Sequence, residues 1–143
     1  MTISSGDAQL LALLRGDGRA STAALARQLG VSRTTVQSRI ERLQQSGVIA
    51  GFTVRLGHEY ERGQVRAHIS ITVLPKKMPA VVRALQAIAA VHSLHSVSGV
   101  HDLVAMAAVD GVAAMDELTD AIGAIDGVER TTTAVILGTK FER

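Results

Sequence analysis

Between Ser32 and Arg42 the chain reads SRTTVQSRIER, and Ser32, Arg33, Thr34, Thr35, Gln37, Ser38, Arg39 and Arg42 all donate or accept hydrogen bonds or carry positive charge. Arginine grips phosphate oxygens and, bidentately, the O6 and N7 of guanine; short hydroxyl and amide side chains reach base edges. Such a set is useful only if one face of the element is kept for it. At about 100° per residue, Val36, Ile40 and Leu43 fall on one side of a helix, with Thr34, Ser38 and Arg42 opposite and Gln37 and Arg39 on the flanks. A helix that is merely solvated carries mixed Glu and Lys in i, i+4 pairs. Here Glu41 is the single acidic residue, and the outward face favours double-stranded DNA as its partner.

The elements that must hold this face lie just before it. Residues 7–15, DAQLLALLR, place Asp7 at a helix start and Leu10, Leu11 and Leu14 on one side, and GDG at 16–18 breaks the helix. Ser21 or Thr22 can cap a second helix with Leu25, Ala26 and Leu29 inward, Gly30 ends it, and Ser32 can cap a third running to about Ser46. A turn of about three residues between two such helices is that of a helix-turn-helix. The following GVIAGFTVRLG, residues 47–57, brings Ile49, Phe52, Val54 and Leu56 in a strand-like pattern. It predicts a hairpin wing with Arg55 near the DNA backbone.

The net charge of +2 conceals an asymmetry. Residues 19–55 hold six arginines against Glu41 alone, whereas residues 91–143 hold three basic side chains against eight acidic ones. A basic module for a polyanion is joined to an acidic module with another task. Absence of cysteine excludes disulfides, thiolate metal sites and cysteine nucleophiles. No basic run precedes the first apolar stretch and none reaches the roughly 18 apolar residues of a span, so a cytoplasmic protein without membrane association is expected.

Residues 58–64, HEYERGQ, read as a linker between a DNA-binding domain at 1–57 and a second domain at 65–143. VRAHISITVL alternates as a half-buried strand. After PKKMP, Val81, Val82, Leu85 and Ile88 follow helical spacing; VHSLHSVS and LVAMAAV read as strands around the turn GVHD. A helix with Met115, Leu118, Ile122 and Ile125 inward, an Asp-Gly turn and a last strand complete the order. Strand, helix, strand, strand, helix, strand is the ferredoxin-like βαββαβ arrangement, so the chain is α+β, a winged helix-turn-helix followed by that domain. It shows no glycine-rich phosphate loop and no nucleophile or acid/base constellation, so neither an enzyme nor a cofactor is expected. His92, His95 and His101 do not form a metal site on this reading, because strand positions three apart face opposite ways.

DAQLLALLRGDGRAS, LARQLGVSRTTVQSRIERLQQSGVI, SGVHDLVAMAAVD and DGVERTTTAVIL together resemble, in sequence and order, segments of the Lrp/AsnC feast/famine transcriptional regulators. The resemblance covers nearly the whole chain. It implies a sequence-specific DNA-binding regulator, a homodimer formed mainly through the C-terminal domains and further assembled, as in an octamer. It also implies an amino acid or related small molecule as effector. By the same resemblance Ser98, Gly99, Val100, His101 and Asp102, with Thr131 or Thr133, form the effector site, Asp102 supplying a carboxylate for an α-ammonium group. His101 stands where a tyrosine or phenylalanine is common in the family. The alternative is an amino-acid-sensing oligomeric module whose basic domain docks a protein or binds DNA without sequence preference.

Overall fold

The computed structural model describes residues 3–141, and the chain divides into two compact units, 1–55 and 56–143. In the first, α1 (Ser5–Gly16), α2 (Thr22–Leu29) and α3 (Arg33–Gln45) each begin at a serine whose hydroxyl accepts a backbone N–H from inside the helix: Ser4 from Asp7, Ser21 from Ala24, Ser32 from Thr35. These bonds satisfy amides that the first helical turn leaves without partners. Gly30 ends α2 in a left-handed conformation, φ 65°, and the chain re-enters helix at Arg33. The apolar stripes converge on one core of Leu10, Leu25, Ala26, Val36 and Leu43, with Ile40 and Leu29 packed against it.

The expected wing is not formed. Residues 50–57 are neither helix nor strand, and Phe52, Val54 and Leu56 are exposed at 53%, 78% and 49%. Alternation makes a segment competent to pair, but a strand exists only where a second strand supplies its hydrogen bonds. Within the stretch read as a linker, His58–Glu61 makes one turn of helix, α4.

The second unit contains β1 (Val65–Val73), a 3₁₀ turn (Pro75–Lys77), α5 (Met78–Gln86), β2 (Val91–Ser96), β3 (Leu103–Val109), α6 (Val112–Gly123) and β4 (Val128–Val135). The strands form one antiparallel sheet in the order β2-β3-β1-β4. Ala67, Ile69 and Ile71 pair with Ala107, Ala105 and Leu103, and with Val73, which pairs with Val128 of β4, these small and branched side chains share one face. Val81 and Leu85 of α5 and Met115, Leu118 and Ile122 of α6 close over that face as the core. His68, Ser70 and Thr72 of β1, Val104 and Met106 of β3, and Arg130 and Thr132 of β4 lie on the other face, which no helix of this unit covers.

Candidate nucleic-acid interface and effector turn

Burial of Val36 and Leu43 leaves Arg33, Thr34, Gln37, Ser38, Glu41 and Arg42 of α3 exposed. Within this row the hydroxyls are not equivalent. Thr35 is half-buried and its Oγ1 lies 2.8 Å from Ser32 Oγ, while its amide donates to the same oxygen, so Thr35 belongs first to the helix cap. Ser38 Oγ donates to the Thr35 carbonyl at 3.4 Å, a weak bond that a base edge can replace. Gln37 Nε2 donates to Glu41 Oε1 at 2.8 Å, and the exposed amide keeps a carbonyl oxygen and a second N–H, an acceptor and a donor of the kind adenine pairs with.

The arginines also divide. Arg33 stands exposed at the N-terminus of α3 and, with Arg27 and Ser32, lines a hollow over the turn between α2 and α3. A phosphate there would meet two guanidinium groups and the positive end of the helix. Arg27 is a member of this cluster that the sequence reading passed over; its signal was a cation in the last turn of the helix preceding α3. Arg42 instead turns back, its Nη2 donating to Asp7 Oδ1 at 2.6 Å. Arg39 lies across Gly6 of α1. The Ser4 hydroxyl, which donates to Asp7 Oδ2 at 2.7 Å, is the main cause holding the Asp7 carboxyl below the ordinary aspartate range. Burial opposes it, and the Ser4 amide, Arg42 and Arg39 add to it. The pairing of Asp7 with Arg42 was missed; Ser4 followed three residues later by an acid is the capping-box pattern that marks Asp7 as more than a helix start. Arg55 lies in the exposed segment after the three helices.

In the second unit the turn joining β2 to β3 is pinned to β1. Asp102 N donates to the Ile71 carbonyl at 3.0 Å, the Asp102 carboxylate accepts the Val73 amide at 2.8 Å, and His101 Nδ1 lies 3.2 Å from Thr72 Oγ1. One Asp102 oxygen thus serves the protein's own backbone, and no hydrogen bond to the other is made among the described residues. Gly99 has φ 127°, which only glycine adopts without strain, and apart from its two chain neighbours nothing among the described residues stands within 4 Å of where its Cβ would be. Its role within one chain is the turn and not a close approach. Thr131 and Thr133 pair beside Ile71 and Ile69 and share their helix-covered face. They are therefore not brought to His101, whose partner Thr72 is on the opposite face beside Arg130. Among the described residues no three His, Asp or Glu side chains are placed to hold a metal ion.

Two family models match this chain, the AsnC-type helix-turn-helix domain over residues 4–44 and the Lrp/AsnC ligand binding domain over residues 66–143. The chain belongs to the Lrp/AsnC family. The HTH-type transcriptional regulator LrpA1 of Halobacterium salinarum is 37% identical over 129 residues, covering 90% of this chain and 91% of that protein. An uncharacterized HTH-type transcriptional regulator of Pyrococcus furiosus is 33% identical over 96% of this chain and 93% of its own length. Among solved structures, E. coli AsnC superposes with a TM-score of 0.90 at 26% identity, covering 100% of this chain and 97% of that one. The feast or famine regulatory protein from M. tuberculosis complexed with L-methionine does so at 0.86 and 31%, covering 99% and 96%. This Lrp/AsnC chain is accordingly a helix-turn-helix transcriptional regulator that carries a ligand-binding domain, and its named relatives have the same, non-enzymatic role. No helix among its described residues is long and apolar enough to cross a membrane.

Proposed function

We propose that the chain reads a specific DNA sequence with the exposed face of α3, in a domain at 1–57 tethered by 58–64 to an effector and assembly domain at 65–143. The observation that supports this most is the division of labour on α3. Val36 and Leu43 are buried while Thr34, Gln37 and Ser38 are exposed on the other side, with Gln37 held by Glu41 and keeping an acceptor and a donor for an adenine edge. Arg33, with Ser32 and Arg27 beside it, holds phosphate, and Arg39 and Arg55 add to the basic surface. Thr35 supports the cap and contributes to base reading only secondarily.

Selection of duplexes from a randomised library, followed by salt titration, tests these roles. Gln37→Ala and Ser38→Ala are expected to change the preferred bases, whereas Arg33→Ala weakens selected and random duplexes alike and lowers the salt slope by about 1. Equal losses from all three variants on every duplex would overturn the assignment.

The regulator works in the cytoplasm as a homodimer, assembled further to an octamer, with an amino acid as effector. The sheet face bearing Val104 and Met106, uncovered within its own unit, supports pairing with a second copy. Ser98–Asp102 supplies the effector turn, and the oxygen of Asp102 not used by Val73 is available to an α-ammonium group. Thr131 and Thr133, on the other face, reach such a ligand only from another subunit. The relative solved with L-methionine makes that amino acid the first to test. A ligand that binds only the folded protein raises its melting temperature by mass action. A screen of the twenty amino acids, with sizing before and after a hit, would refute this part by showing no shift and an unchanged monomer.

A further inference from the structure

Asp7 is the only charged side chain buried among the described residues, 5% exposed at the start of α1. A carboxylate persists in such a place only when its oxygens are bonded and its charge is opposed. Oδ2 accepts the Ser4 hydroxyl at 2.7 Å and the Ser4 amide at 3.3 Å, and Oδ1 accepts Arg42 Nη2 at 2.6 Å. Arg42 stands 35 residues on, in α3, and its side chain is otherwise 60% exposed. One turn earlier Arg39 extends over Gly6, where a Cβ would meet its guanidinium at 2.5 Å. The first turn of α1 therefore receives two of the arginines that the sequence of α3 offers to DNA.

Apolar contacts through Val36, Ile40 and Leu43 hold α3 against the core but are not directional, so they resist rolling of the helix about its axis only weakly. With side chains reaching about 5–6 Å from the axis, a roll of about 10–20° moves their tips by about 1–2 Å. That is enough to lose a bidentate contact with a base. Resting on the DNA-binding reading above, we propose that Asp7 is a positioning residue for sequence recognition. With Ser4 it clamps Arg42, sets the roll of α3, and keeps the Arg42 guanidinium on a carboxylate of its own chain instead of on a phosphate.

The probes are a duplex selected from a randomised library by the wild-type full chain and a random duplex of equal length, both titrated with salt. Asp7→Asn, Asp7→Ala, Arg42→Ala and the double variant Asp7→Ala/Arg42→Ala are compared at a temperature where circular dichroism shows each one folded. Each single variant is expected to lose about tenfold affinity for the selected duplex, the loss typical of one wrong base pair. The random duplex changes by less than about twofold, the salt slope is unchanged, and the double variant loses no more than the worse single one. Several results would overturn the clamp. Tighter binding or a steeper slope in Asp7→Ala would mean that the pair competes with DNA for Arg42. A slope shallower by about 1 in Arg42→Ala would make Arg42 a phosphate contact. Equal losses on both duplexes, or a lower melting temperature with affinity intact, would reduce Asp7 to a purely structural role. Failure of the wild type to select any sequence would remove the DNA-reading proposal and the clamp together.

Discussion

Among the described residues, Leu10, Leu25, Ala26, Val36 and Leu43 are the five buried apolar side chains of the N-terminal unit, against twelve between the sheet and helices α5 and α6 of the C-terminal unit. The hydrogen bonds run the other way. All three helices of the small unit are capped by a serine side chain, and α1 is further tied to α3 by Asp7 and Arg42, whereas α5 and α6 have no side-chain cap. Where little apolar surface can be buried, local and directional bonds must decide the fold. Where a sheet provides a broad face, packing alone can hold two helices against it.

The hardest test of this contrast is a matched pair of core truncations. Leu10 and Ile69 are both fully buried, and Leu10→Ala or Ile69→Ala should each cost about 3 kcal/mol. A unit of 55 residues holds only roughly 3–8 kcal/mol, and its melting temperature moves further per kcal/mol than that of a larger one. Leu10→Ala should therefore unfold the helical unit while hydrogen exchange still protects β1 and β3. Ile69→Ala should weaken the sheet without melting it at 25 °C. Similar protection losses in the two units would erase the distinction.

Gly127→Ala comes next. The residue has φ 101°, and a Cβ there would overlap the Cβ of Lys77, which is not a mobile chain end, so a loss of about 2 kcal/mol is expected by denaturant unfolding. Ser32→Ala, which removes the α3 cap, should cost about 1 kcal/mol and lower the helical melt, with no effect on the sheet. The smallest change at neutral pH concerns Asp7. Its carboxyl is held below the ordinary value by Ser4 first, then by Arg42, so its stabilising contribution is complete above the unfolded value of about 3.9. It is lost as pH falls through the lower folded value. An acid series of thermal melts should show the N-terminal unit losing stability as pH falls below about 4, with Asp7→Asn showing less of this dependence.

Several parts of the site were legible because they depend on spacing alone. The Val36–Ile40–Leu43 stripe, the cap at Ser32, the break at Gly30 and the alternation of Ala67, Ile69, Ile71 and Val73 are each repeats of a fixed helical or strand period. Residues 50–57 share the same kind of alternation yet form no strand, since pairing needs a partner that periodicity does not specify. The sequence offered the Thr35 and Ser38 hydroxyls to DNA together; only atomic positions show one committed to the cap and the other loosely held.

The sequence by itself determined the order and type of the main elements, the faces they bury and the concentration of positive charge before residue 56, because side-chain periodicity and composition are local properties. Tertiary structure alone decided that Arg42 answers a carboxylate 35 residues away, and that Asp102 is tied to Val73. It also decided that Thr131 and Thr133 lie on the opposite face of the sheet from Thr72. Contacts of that kind arise when distant segments are brought together by the cores they share, and no spacing within either segment encodes which atoms will meet.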